Sequence, residues 1–148
     1  YPTCCQNQYD LGGRSQVSIR TRSAMIRHLF FVAAGGALGS VLRYSLQRLL
    51  NPAQQDAFPS GTWLVNVLGC LLIGIGWGIS EKYSILSEET KLFLFTGLCG
   101  GFTTLSAFSH ESLLLIKTDR FAIFALYLTA TLVGGWIATW AGYKFFAP

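Results

Sequence analysis

Four stretches of this chain are each long and apolar enough to cross a lipid bilayer, and they leave little chain for anything else. A crossing needs about 20 predominantly apolar residues. The first stretch runs from about Ile26 to Leu50 and is stopped by Asn51-Pro52 and the polar AQQDAFPSG. The second begins near Thr62, continues through WLVNVLGCLLIGIGWGI and ends at a charged loop from Glu81 to Lys91. The third is KLFLFTGLCGGFTTLSAFSHESLLLI, and the fourth extends from about Phe121 to Phe146. Of 148 residues, 51% are apolar and 12% charged, about half the charged share of an ordinary soluble domain. The mean hydropathy is +0.44. These features exclude a soluble enzyme of ordinary type and predict an all-α membrane protein with four transmembrane helices per chain.

Residues 1–24 stand apart from residues 25–148. They carry Arg14, Arg20 and Arg22 against a single Asp10 and lack apolar periodicity, which predicts a disordered tail or extension. Met25, the only methionine, precedes IRHLFF and has the look of a natural start. A basic stretch ahead of LFFVAAGGALG also fits a signal peptide, but three further apolar segments favour a first span. Cys4 and Cys5 in the tail and Cys70 and Cys99 in the spans form neither a zinc pattern nor a disulfide framework. The net charge of +4 is scattered singly, which argues against nucleic acid as a partner.

Charge also bears on topology. With the tail excluded, Arg27, Lys82, Lys91 and Lys144 fall on one side of the membrane, and Arg48, Lys117 and Arg120 on the other. Four against three barely fixes an orientation, so insertion both ways and assembly as an antiparallel pair are expected. The tail, where present, raises the first count to seven.

Several residues inside the spans demand a reason. A charge at the bilayer centre costs roughly 2.5–3.5 kcal/mol, so Arg43 is expected either to snorkel or to concentrate an anion at a vestibule. Asn66 is either interhelical glue or an amide donor for a passing anion. In the third span, Gly100-Gly101 and the following Thr103 and Thr104 weaken a helix, and backbone freed there must face protein, water or an ion. Thr104, Phe108 and Glu111 share one helical face beyond it. A ring edge such as that of Phe108 is electropositive and can contact an anion. Small residues four apart, Gly35/Gly39, Gly74/Gly78, Gly97/Gly101 and Ala130/Gly134/Ala138/Gly142, predict close helix packing.

Three segments together are specific. Gly35-Gly36-Ala-Leu-Gly39-Ser-Val-Leu-Arg43-Tyr44, Gly61-Thr62-Trp-Leu-Val-Asn66-Val-Leu-Gly69, and Gly97-Leu-Cys-Gly100-Gly101-Phe-Thr103-Thr104-Leu105-Ser106-Ala107-Phe108-Ser109-His110-Glu111 closely resemble the CrcB/Fluc fluoride channel family, over residues 25–146. The resemblance implies a four-helix protomer with a broken third helix, paired antiparallel with a second copy to give two fluoride pores. It implies a pore of Asn66, Thr104, Ser106, Phe108, Tyr127 and Thr131, with Arg43 and Glu111 at the vestibule. It also implies a structural Na⁺ on the dimer axis, held by the backbone carbonyls of Gly100 and Thr103. The family's Thr-Thr-Phe-Ser-Thr-Phe reads Thr-Thr-Leu-Ser-Ala-Phe here, so Leu105 replaces one of two pore rings, and Gly135 stands where the polar track has a serine.

The implied function is passive export of F⁻ across a bacterial plasma membrane, conferring fluoride resistance without catalysis. The alternative is a small four-helix proton-coupled multidrug exporter. That class needs a membrane-embedded carboxylate in the first span, where this chain has Arg43 and no acid.

Overall fold

The computed structural model describes the backbone of residues 6–50, 58–83 and 86–147, with side chains from residue 22 onward. Cys4 and Cys5 lie outside the described residues. All described secondary structure is helical: α1 (Gln6–Leu50), α2 (Ser60–Tyr83), α3 (Glu88–Lys91), a π-helical segment (Leu92–Cys99), α4 (Gly100–Phe102), α5 (Leu105–Lys117) and α6 (Phe121–Phe146). Four stretches are long and apolar enough to span a membrane: Arg22–Leu50, Ser60–Tyr83, Glu88–Lys117 and Phe121–Phe146. Large apolar side chains such as Phe30, Val41, Trp136 and Phe145 point outward from them, as a lipid solvent requires.

Upstream of the first span the helix extends back to Gln6, and its backbone continues into the span without a break. Polar residues can extend a helix that a membrane segment has already formed, because elongation needs no new nucleus.

Antiparallel neighbours follow from the short connections. The Arg27 guanidinium lies 3.0 Å from Glu89 Oε1, and the Tyr143 hydroxyl donates to Glu81 Oε2 at 2.6 Å. The start of the first span, the end of the second, the start of the third and the end of the fourth therefore share one end of the bundle. At the other end, Asp119 takes the left-handed conformation (φ 57°) and turns the chain from α5 into α6.

Glycines bring the helices to backbone contact in two seams. In the first, α1 crosses the third span: a Cβ on Gly101 would lie 2.5 Å from the Gly36 carbonyl oxygen, and one on Gly97 would lie 2.9 Å from Gly35 Cα. In the second, α2 meets α6, where a Cβ on Gly142 would lie 2.6 Å from the Leu71 carbonyl and one on Gly78 would lie 2.7 Å from that of Tyr143. Gly134 belongs to the same small-residue stripe but is spared, since its nearest neighbour would be Val67 Cγ2 at 3.5 Å. Trp63 ties α2 to α6 instead, its Nε1 donating to the Ala130 carbonyl at 3.3 Å.

The apolar core lies where α5 packs on α6. Phe108, Leu115 and Tyr127 are buried there, with Phe58, Trp63, Ile123, Phe124 and Leu128 against them. The third span is held to α2 higher up by Trp77 and Phe95, stacked at 5.4 Å and 8°.

Candidate functional site

The site is built around the place where the third span stops being helical. Thr103 (φ −77°, ψ 156°) and Thr104 (φ −148°, ψ 114°) are extended between α4 and α5. The backbone groups of Thr104 would be orphaned in lipid, and a side chain takes up both. Thr104 N–H donates to Asn66 Oδ1 at 2.8 Å, while Asn66 Nδ2 donates to the Thr104 carbonyl at 3.2 Å. The amide of α2 thus clamps both polar groups of one residue. Thr104 Oγ1 then caps α5 by accepting from Ala107 N–H at 3.2 Å, and it shares a further hydrogen bond with Ser106 Oγ at 3.2 Å.

This pattern releases two carbonyls. In a continuous helix, Thr104 N–H would bond the Gly100 carbonyl and Ala107 N–H the Thr103 carbonyl. The first of these donors is held by Asn66 and the second by the Thr104 side chain. The Cys99 carbonyl is doubly occupied, accepting from Thr103 N–H and Thr103 Oγ1, each at 3.0 Å. The segment before the interruption is also wider than an α-helix, with Gly100 N–H reaching the Phe95 carbonyl five residues back, a turn type that gathers at functional sites.

A groove of about 550 Å³ opens beside the interruption. Asn66, Thr104, Phe108 and Thr131 line it together with Gly100, Thr103, Leu105 and Gly135, and Cys70 and Cys99 border it. Four of the six expected pore residues therefore converge on one cavity. Thr131 contributes a buried hydroxyl that has no hydrogen-bond partner among the described residues. Ser106 is exposed beside Thr104. Leu105 is 76% exposed and points away from the core.

Two more of the expected residues, Tyr127 and Glu111, belong to a second, adjoining cluster. Tyr127 is fully buried, not groove-lining, because its ring packs 4.9 Å from that of Phe108 and its hydroxyl donates to Glu111 Oε2 at 2.7 Å. Thr62, also fully buried, donates to Glu111 Oε1 at 2.8 Å, and Gln47 Nε2 donates to Thr62 Oγ1 at 2.9 Å. Glu111 is thus held by two hydroxyls from two different helices. Thr62 and Gln47 escape a reading of the chain by spacing, since they lie 49 and 15 residues from their partners in sequence. Arg43, on α1 one turn beyond Gly39, is half-buried and makes no ion pair among the described residues.

Comparison with known proteins gives the family of the chain. A profile of the family described as CrcB-like protein, Camphor Resistance (CrcB), matches residues 30–143. The chain belongs to the CrcB family. It is 44% identical over 117 residues to the fluoride-specific ion channel FluC of Flavobacterium psychrophilum, which covers 79% of this chain and 94% of that protein. The chain is likewise similar to the fluoride-specific ion channel FluC of Azobacteroides pseudotrichonymphae, 40% identical over 80% of this chain and 95% of that protein, and to that of Nitratidesulfovibrio vulgaris, 41% identical over 79% and 94%. All four spans fall within or overlap the matched residues.

Proposed function

We propose that this chain is a passive, fluoride-selective channel of a bacterial plasma membrane, and not an enzyme. The observation that carries the reading is the convergence of Asn66, Thr104, Phe108 and Thr131 on one groove in a chain whose relatives are fluoride-specific channels. Fluoride enters a cell as neutral HF, dissociates, and leaves as F⁻. A negative interior supplies about 2.3 kcal/mol per charge per 100 mV, so the export needs no further energy source. Selectivity follows from replacing the hydration shell of a small anion by amide, hydroxyl and ring-edge donors along a narrow path. Arg43 at the vestibule attracts the anion. The Thr131 hydroxyl is available to it further along, with Ser106 and the Glu111–Tyr127 pair flanking the route.

The working unit in this reading is an antiparallel dimer of identical chains with two pores. Two features support it: the near-balanced charges on the two sides, and a groove whose rim carries the exposed Leu105 and Trp136 and so has room for a second copy. A structural Na⁺ on the dimer axis fits the carbonyls of Gly100 and Thr103. Their helical donors are diverted, and uncharged carbonyl oxygens suit a hard cation. Bound there, the ion would supply positive charge that holds two broken helices together. The proton-coupled exporter reading falls away with the family assignment.

The test is efflux from liposomes containing only this protein, read with fluoride- and chloride-selective electrodes. Rapid F⁻ loss without a proton gradient, and retained Cl⁻, is the expected result; equal loss of both ions, or of neither, overturns the reading. In the same assay Asn66→Asp is expected to slow F⁻ efflux by about tenfold or more, an effect of about 1.4 kcal/mol at the barrier. The substitution removes the donor to the Thr104 carbonyl and sets a negative charge in the groove. Unchanged efflux would take Asn66 out of the ion path.

A further inference from the structure

The hydrogen bonds behind Phe108 converge on one carboxylate, that of Glu111. A carboxylate accepts and cannot donate, and a threonine hydroxyl has a single proton. Because Thr62 Oγ1 gives that proton to Glu111 Oε1 at 2.8 Å, any group on its remaining lone pairs must be a donor. Gln47 meets this condition by presenting Nε2 at 2.9 Å. Tyr127 closes the sequence from the other side, donating to Glu111 Oε2 at 2.7 Å while its ring supports that of Phe108 at 4.9 Å. The path Gln47→Thr62→Glu111←Tyr127 thus connects α1, the Arg43-bearing helix, to the aromatic ring that lines the groove.

We infer that Gln47 is a positioning residue for fluoride conduction: its amide N–H commits the Thr62 proton to Glu111, which in turn fixes Tyr127 and the Phe108 ring. This rests on the channel reading above and adds a residue to it. The groups with charge or a titratable proton around Thr62 are Glu111 from α5 and Tyr127 from α6. On the helix of Gln47 itself, Arg43 and Arg48 flank it in sequence. If the donor at position 47 becomes an acceptor, the Thr62 hydroxyl is drawn toward it and Glu111 is left with one donor. The carboxylate is then less well neutralised beside an anion route, and Tyr127 loses its fixed partner. The role belongs to the amide hydrogen and not to the volume of the side chain, which makes it separable from packing.

The experiment compares fluoride efflux for the parent, Gln47→Glu and Gln47→Leu, and repeats Gln47→Glu in Thr62→Ser and Thr62→Val backgrounds. Gln47→Glu keeps the shape and turns the donor into an acceptor; it is expected to lower efflux about fivefold, whereas Gln47→Leu, which brings no competing acceptor to Thr62, should lower it less. The loss should persist with Thr62→Ser, which retains a hydroxyl, and shrink to under about twofold with Thr62→Val, which does not. The same non-additivity should appear in thermal unfolding of the detergent-solubilised protein, a readout that holds where efflux is slow. Parental efflux in Gln47→Glu, or an equal loss in the Ser and Val backgrounds, overturns the inference. A parent that carries no fluoride overturns the channel reading instead, so the two failures are distinct.

Discussion

Leu105 and Phe108 are three residues apart, one turn of helix, yet live in different surroundings. Phe108 is buried against Tyr127, whereas Leu105 is 76% exposed at the rim of the groove. A larger ring at position 105 therefore meets open space within the protomer, and the overpacking cost of about 1–3 kcal/mol seen in filled cores does not apply there. Leu105→Phe is expected to leave the fold intact and to hold or modestly raise fluoride efflux. Phe108→Leu should cost about 1–2 kcal/mol of packing and slow efflux far more than Leu105→Phe alters it. Folded Phe108→Leu protein that conducts at the parental rate would remove the ring from the ion path; thermal unfolding run beside the efflux assay separates the two effects.

At the scale of elements, glycine decides how near two helices come, and its demands are local. A side chain at Gly101 collides with the backbone of Gly36, which cannot yield without moving α1. At Gly134 the nearest atom is the end of a valine side chain at ordinary contact distance. Gly101→Val is expected to lower the stability of the detergent-solubilised protein by about 2 kcal/mol or more, while Gly134→Ala should be neutral or gain up to about 1 kcal/mol from helix propensity. Size-exclusion chromatography with thermal unfolding reads both. Equal tolerance at the two sites would show that the first seam is looser than its geometry implies. The four-residue spacing identified Gly101 and Gly134 equally. Only the crossing of the helices separates those that touch backbone from those that do not.

The whole molecule carries its orientation in a few charges. Arg27, Lys82, Lys91 and Lys144 gather at the end of the bundle where Arg27 meets Glu89 and Tyr143 meets Glu81. Arg48, Lys117 and Arg120 mark the opposite end. The joint substitution Arg48→Gln and Lys117→Gln changes four against three to four against one. For a chain beginning at Met25, single cysteines introduced in the loops and labelled from outside the cell should report both orientations for the parent and mainly one for the variant. Fluoride efflux should fall in proportion, because an antiparallel dimer needs both. A parent found in a single orientation would count against the antiparallel assembly.

Periodicity and composition were sufficient for the spans, because a bilayer punishes any other way of satisfying apolar side chains and backbone at once. The weakened centre of the third span was legible for the same reason: glycines and hydroxyls are poor helix formers there. Which residue receives the freed backbone was not legible. Asn66 lies 38 positions from Thr104, and nothing in local sequence distinguishes a clamp on backbone from a donor facing an ion. Nor does spacing foretell that Tyr127 turns inward to Glu111 while Thr131, one turn later on the same helix, faces the groove. Helical periodicity gives the direction of a side chain about its own axis. Its partner depends on how neighbouring axes cross, and in this protein that was set by the backbone contacts at Gly36, Gly101 and Gly142.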